Sequence, residues 1–124
     1  MATILIVDDS ATLRASVTFS LSQSGYEVVE AADGPAALEI LGALAGEGRR
    51  IDMIITDVNM PGMDGISLVG EIKKTDFRFV PILILTTESQ TTRIESGRAA
   101  GASGWLVKPF KPDQLIEVVE KLLP

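Results

Sequence analysis

Short apolar runs alternate along this chain with longer stretches whose apolar residues recur three and four positions apart. The runs are Ile4-Leu5-Ile6-Val7, Val28-Val29, Met53-Ile54-Ile55, Ile82-Leu83-Ile84-Leu85 and Trp105-Leu106-Val107. The longer ones are apolar throughout, as expected of parallel strands covered on both faces. Between them the spacing predicts helices. Leu13, Val17 and Leu21 follow Ser10, a suitable N-cap. Ala37, Leu38, Leu41 and Leu44 follow Gly34-Pro35, where proline suits a first helical position. Ile66, Leu68, Val69 and Ile72 follow Gly65, and Leu115, Val118, Val119 and Leu122 follow Pro112.

The weakest helical stretch runs from Thr91 to Ala100, with two threonines at its start and Gly97 inside it. Glycine there costs about 1 kcal/mol relative to alanine. Gly97 fits an element that must move, or one that packs closely on a neighbour, and the sequence leaves both readings open. The whole is five βα units in one domain spanning residues 1–124, with no repeat or linker. Alternation of this kind implies an α/β fold, a parallel sheet with helices on both faces. In such sheets ligands bind outside the carboxyl ends of the strands, where the winding reverses.

Composition narrows the function classes. A chain of 124 residues, 46% hydrophobic, builds one core of ordinary size. There is no cysteine, so disulfides and thiolate metal sites are excluded. The formal charge of −6 and a pI near 4.5 repel phosphate backbones, which argues against nucleic acid as a partner. The N-terminus meets Asp8-Asp9 too early for a signal peptide, and no apolar run approaches the roughly 20 residues that cross a bilayer. A soluble, cytoplasmic protein is expected. With no histidine, the chain holds neither a phosphohistidine nor a histidine base, so any phosphoryl donor comes from outside.

The residues directly after the apolar runs carry the chemistry. The first run ends in Asp8-Asp9, the third in Thr56-Asp57, the fourth in Thr86-Thr87 and the fifth in Lys108-Pro109. Each pair alone suits a helix cap or a turn; a parallel βαβ sheet brings all four to one edge. Carboxylates gathered there repel by about 4 kcal/mol per pair at 4 Å and an effective dielectric of 20. Raised pKa values or a bound cation relieve that. Hard oxygen ligands without His or Cys point to Mg²⁺. An acidic cage, a cation and a lysine suit a transferring phosphoryl group, and a carboxylate is a known nucleophile toward phosphorus.

The segment Asp57-Val58-Asn59-Met60-Pro61-Gly62-Met63-Asp64-Gly65 resembles the acceptor loop of response-regulator receiver domains. Asp8-Asp9, Thr86 and Gly101-Ala102-Ser103-Gly104-Trp105-Leu106-Val107-Lys108-Pro109-Phe110 match the family's other landmarks, and the likeness covers essentially the whole chain. It resembles in particular the stand-alone chemotaxis receivers of the CheY type. The resemblance implies a flavodoxin-like (βα)5 doubly wound sheet of strand order 2-1-3-4-5, with no output domain attached. It implies that Asp57 is the phosphoacceptor, that Asp9, Asp57 and the backbone carbonyl of Asn59 ligate Mg²⁺, and that Asp8 acts through a bound water. Thr86 and Lys108 would each engage a phosphoryl oxygen, and the Lys108-Pro109 bond would be cis. The switch would run from Thr86 to the aromatic at position 105, changing a face made of the fourth helix, fifth strand and fifth helix. That position is usually tyrosine or phenylalanine in relatives and is tryptophan here. Ile94, Trp105 and the outward side of the last helix would dock a protein target, the flagellar motor switch being one candidate. Asn59 and Glu88 flank the acceptor and imply a short-lived aspartyl phosphate. A histidine kinase would be the phosphodonor, and the chain would be a signalling protein rather than an enzyme.

Two competing functions remain. Aspartate-nucleophile Mg²⁺ phosphatases of the haloacid-dehalogenase type carry a second aspartate two residues after the nucleophile, and this chain has Asn59 there. With no histidine either, leaving-group protonation has no evident provider. An adaptor receiver that is never phosphorylated typically lacks an acidic or lysine landmark, and none is missing here.

Overall fold

The computed structural model describes residues 1–87 and 92–123. Its strands are β1 (Thr3–Val7), β2 (Glu27–Ala31), β3 (Met53–Asp57), β4 (Ile82–Thr87) and β5 (Gly104–Lys108). The helices are α1 (Ala11–Gln23), α2 (Gly34–Gly46), α3 (Gly65–Ile72), α4 (Ile94–Ala100) and α5 (Pro112–Leu122), one after each strand. The strands form a single sheet in the order β2-β1-β3-β4-β5, parallel at every pairing. This is the doubly wound, flavodoxin-like arrangement expected.

Because strand side chains alternate, the apolar runs serve two cores at once. Leu5, Val7, Ile54, Ile82 and Ile84 pack with residues of α2 and α3, among them Leu41, Leu68 and Ile72. Ile4, Ile6, Met53, Ile55, Leu83 and Leu85 face the other way, onto Val17 and Leu21 of α1 and Leu115 and Val119 of α5. The edge strands β2 and β5 are only partly covered, consistent with their weaker apolar signal.

Local chemistry sets the helix starts. Ser10 Oγ accepts from the Leu13 N–H at 3.2 Å, capping α1 as expected. The caps of α2 and α3 are the aspartates just ahead of the glycines: Asp33 accepts from Ala36 N and Asp64 from Ser67 N, each at 2.8 Å. For α5, Gln114 Oε1 reaches back to the Lys111 N–H at 2.8 Å, with Pro112 in the first turn.

The fourth helix departs from expectation. It begins at Ile94, after a 3₁₀ turn over 92–93, and has no side-chain cap; Thr91 lies outside the described residues. Gly97 is buried, and a Cβ on it would stand 2.8 Å from Ile84 Cδ1. The structure therefore gives Gly97 a packing role, bringing α4 close to β4. Among the described residues no helix is long and apolar enough to cross a membrane.

Candidate functional site

Chain winding reverses between β1 and β3, which lie side by side, and their carboxyl ends open a shared crevice. Asp57 is the last residue of β3, while Asp8 and Asp9 follow β1 directly. One carboxylate oxygen from each of Asp8, Asp9 and Asp57 lies within 4.8 Å of the other two. Lys108, the last residue of β5, reaches across the end of β4 and donates from Nζ to Asp57 Oδ1 at 3.0 Å. The Val58 N–H donates to the same oxygen at 2.9 Å, so the Asp57 side chain is held at two points. The Lys108-Pro109 peptide bond is cis.

The three carboxylates are not equivalent. Asp8 is fully buried and Asp57 is 6% exposed, whereas Asp9 stands in solvent at the mouth. Asp8 Oδ1 accepts from the Ser10 N–H at 2.8 Å, while Oδ2 is buried with no hydrogen-bond partner among the described residues. Burial, and to a lesser degree the Asp57 and Asp9 charges, push Asp8 above the usual carboxylate range, against the Ser10 bond and Lys108. An orphaned buried carboxylate oxygen beside two others is the chemistry of a hard divalent cation site, and Mg²⁺ fits this donor set.

That geometry fixes the sign of a stability effect. A raised folded-state pKa means that the metal-free native protein binds more protons than the unfolded chain above pH 3.8, so stability falls as pH climbs through that window. Asp8→Asn keeps an acceptor for Ser10 and removes the charge. It is expected to stabilise the metal-free protein at pH 7 by about 1–3 kcal/mol, and to show a smaller rise in melting temperature on adding Mg²⁺ than the wild type. Thermal melts with and without Mg²⁺ at pH 5 and 7 read both; a less stable variant at pH 7 contradicts it.

Thr86, near the end of β4, is buried, and its hydroxyl donates to the Thr87 carbonyl at 3.2 Å. With Val58, Ile66, Ile84, Arg93, Ile94 and Trp105 it lines a small cavity. Trp105 and Ile94 are half-buried. Asn59 is exposed two residues beyond Asp57, and Glu88 lies outside the described residues.

Other contributors were not singled out in the sequence. Arg14 donates to the Asp8 carbonyl at 2.7 Å and to Glu30 at 3.0 Å, bracing the turn after β1. Its position one turn after the Ser10 cap was the available signal. Arg93 donates to Asp64 Oδ2 at 2.8 Å, and the Arg98 guanidinium lies 4.8 Å from the Trp105 ring centre. Nothing in the sequence announces those two pairings.

Residues 4–120 match the family model described as response regulator receiver domain. The chain is 39% identical over 122 residues to the chemotaxis protein CheY1 of Helicobacter pylori, covering 97% of this chain and 95% of that one. It is 41% identical over 118 residues to the transcriptional regulatory protein PdtaR of Mycobacterium tuberculosis, covering 94% of this chain but 54% of that protein, so it spans about half of that relative's length. The solved structure of the chemotaxis protein CheY4 of Vibrio cholerae superimposes with a TM-score of 0.88 at 44% identity, covering 99% of both chains.

Proposed function

This chain belongs to the response regulator receiver family, and from that premise we propose that it accepts a phosphoryl group on Asp57 from a phosphohistidine of a separate kinase. The observation that carries the reading is the Asp8–Asp9–Asp57 cluster with Lys108 bonded to Asp57. A carboxylate oxygen of Asp57 attacks phosphorus in line, the P–N bond to the donor histidine breaks with its electron pair going to that nitrogen, and the ring, already protonated on its other nitrogen, leaves as neutral imidazole. The chain's contribution is positional: Val58 N–H and Lys108 hold the nucleophile, and Lys108 stays beside the growing negative charge. Asp9, Asp57 and the Asn59 carbonyl, with Asp8 behind, would hold Mg²⁺, which when bound would supply positive charge toward the phosphoryl oxygens. Thr86 turns its hydroxyl from the Thr87 carbonyl to a phosphoryl oxygen, and the face of α4, β5 and α5 changes with it.

The protein is then a cytoplasmic signalling component rather than a turnover enzyme. Incubation with Mg²⁺ and acetyl phosphate is expected to add at most one phosphoryl group per chain by mass spectrometry, and chelation of the metal to prevent it. Continuous hydrolysis of phosphomonoesters would favour the phosphatase instead. Mg²⁺ with beryllofluoride is expected to alter Trp105 fluorescence; an unchanged spectrum with proven binding removes that ring from the switch. Near-complete coverage of the Helicobacter pylori and Vibrio cholerae chemotaxis proteins supports a chemotaxis role, with a flagellar switch component as target. Binding to such a component that depends on beryllofluoride checks it.

A further inference from the structure

Trp105 already lines a cavity together with Thr86, and the ring has no room to move deeper toward that residue while α4 stays where it is. The cavity measures about 10 Å³, the space of one water at most, and an indole needs many times that. Arg93 and Ile94 form part of its wall, and one turn later Gly97 sits against Ile84. Entry of the ring therefore requires α4 to lift or slide. Two arginines make contacts that such a movement would disturb. Arg93, immediately ahead of α4, is bonded to Asp64 at 2.8 Å, and the other Asp64 oxygen is fixed by the Ser67 N–H at the start of α3. Arg98, within α4, lies over the face of Trp105 at 4.8 Å and is paired with Glu95 of its own helix at 3.2 Å.

We propose that Arg93 and Arg98 are positioning residues that hold α4 and Trp105 in the arrangement of the unmodified receiver. Arg93 ties α4 to the acceptor loop, and Arg98 ties the ring to α4 from outside. Releasing either contact shifts the balance toward the state in which the ring turns inward. The inference rests on the receiver reading, and it assigns the control of this switch to two contacts as well as to the bulk of tryptophan.

A ligand that binds the switched state gains apparent affinity in proportion to that state's population. The test is titration of Mg²⁺-loaded protein with beryllofluoride by calorimetry. Arg98→Gln is expected to bind about two- to fivefold tighter than wild type, the worth of an exposed cation–π contact. Arg98→Lys, which keeps the charge but not the flat stack, falls between. In a Trp105→Leu background Arg98→Gln has no further effect. Arg93→Gln is expected to tighten binding about twofold, and not at all once Asp64→Asn has removed its partner while keeping the α3 cap. Unchanged or weaker binding in both arginine variants overturns the proposal, as does an equal effect with and without Trp105. A structural role alone lowers the melting temperature without this pairwise dependence. Wild-type protein that fails to bind beryllofluoride sinks the acceptor reading and the proposal with it; wild-type binding with unchanged variants sinks the proposal alone.

Discussion

Asp57→Asn is expected to eliminate phosphoryl uptake while leaving a protein at least as stable as the wild type. The amide keeps an oxygen that accepts from Val58 N–H and Lys108, so the β3 end and its turn are preserved. What disappears is the nucleophile, since an amide oxygen carries no full charge and forms no stable phosphoryl adduct. The fold gains because a buried negative charge beside Asp8 is gone, and Lys108 retains the Asp8 field. Intact mass after treatment with acetyl phosphate and Mg²⁺ reads the first effect: one added phosphoryl group for wild type, none for the variant. A variant labelled at the wild-type rate would place the acceptor elsewhere and end the assignment. Asp57→Glu separates charge from reach. It keeps the carboxylate but pushes it one methylene past the position set by Val58 and Lys108, and uptake should fall about a hundredfold or more.

Most of the framework was legible because it depends on local pattern. Runs such as Ile82–Leu85 are apolar on both faces, which only a covered parallel strand requires, and Ser10 announces its helix with a hydroxyl that satisfies a free N–H. The convergence of Asp8, Asp9, Asp57 and Lys108 was legible for a topological reason: parallel strands put all their carboxyl ends on one edge. What lay beyond reach was which of two adjacent aspartates would be buried. Asp8 and Asp9 are identical in sequence terms, yet one is sealed and the other open, because strand alternation and the Ser10 turn decide it. The pairing of Arg93 with Asp64 bridges 29 positions and depends on how α3 and α4 meet. Arg98 reads as a solvated helix residue until β5 places Trp105 beneath it. The packing role of Gly97 likewise needed the distance to Ile84 to become visible.

Gly65→Ala should be among the most damaging single changes outside the apolar cores, and it isolates how the acceptor is aimed. The turn from β3 into α3 folds so tightly that Gly65 N–H donates to the Val58 carbonyl at 2.8 Å. A Cβ at position 65 would collide with the Asp57 carbonyl oxygen and stand 2.9 Å from its carbon and 3.0 Å from Val58 Cα. All three are backbone atoms, so no rotamer change relieves the clash, and relief has to come from pushing α3 away from the strand that carries Asp57. Destabilisation of about 3 kcal/mol or more is expected, a drop in melting temperature of roughly 10 °C. Phosphoryl uptake by the folded fraction should fall as well, because the shift moves Asp57 relative to Lys108 and to Asp8 and Asp9. Gly42→Ala supplies the contrast. That glycine lies inside α2 with nothing within 4 Å of its missing Cβ, so alanine there should stabilise by up to about 1 kcal/mol and leave uptake untouched. If the two alanine variants melt together and label equally, the close approach at Gly65 is not what aims the acceptor, and the rigidity assigned to this turn has to be sought in Asp64 and Met60-Pro61 instead.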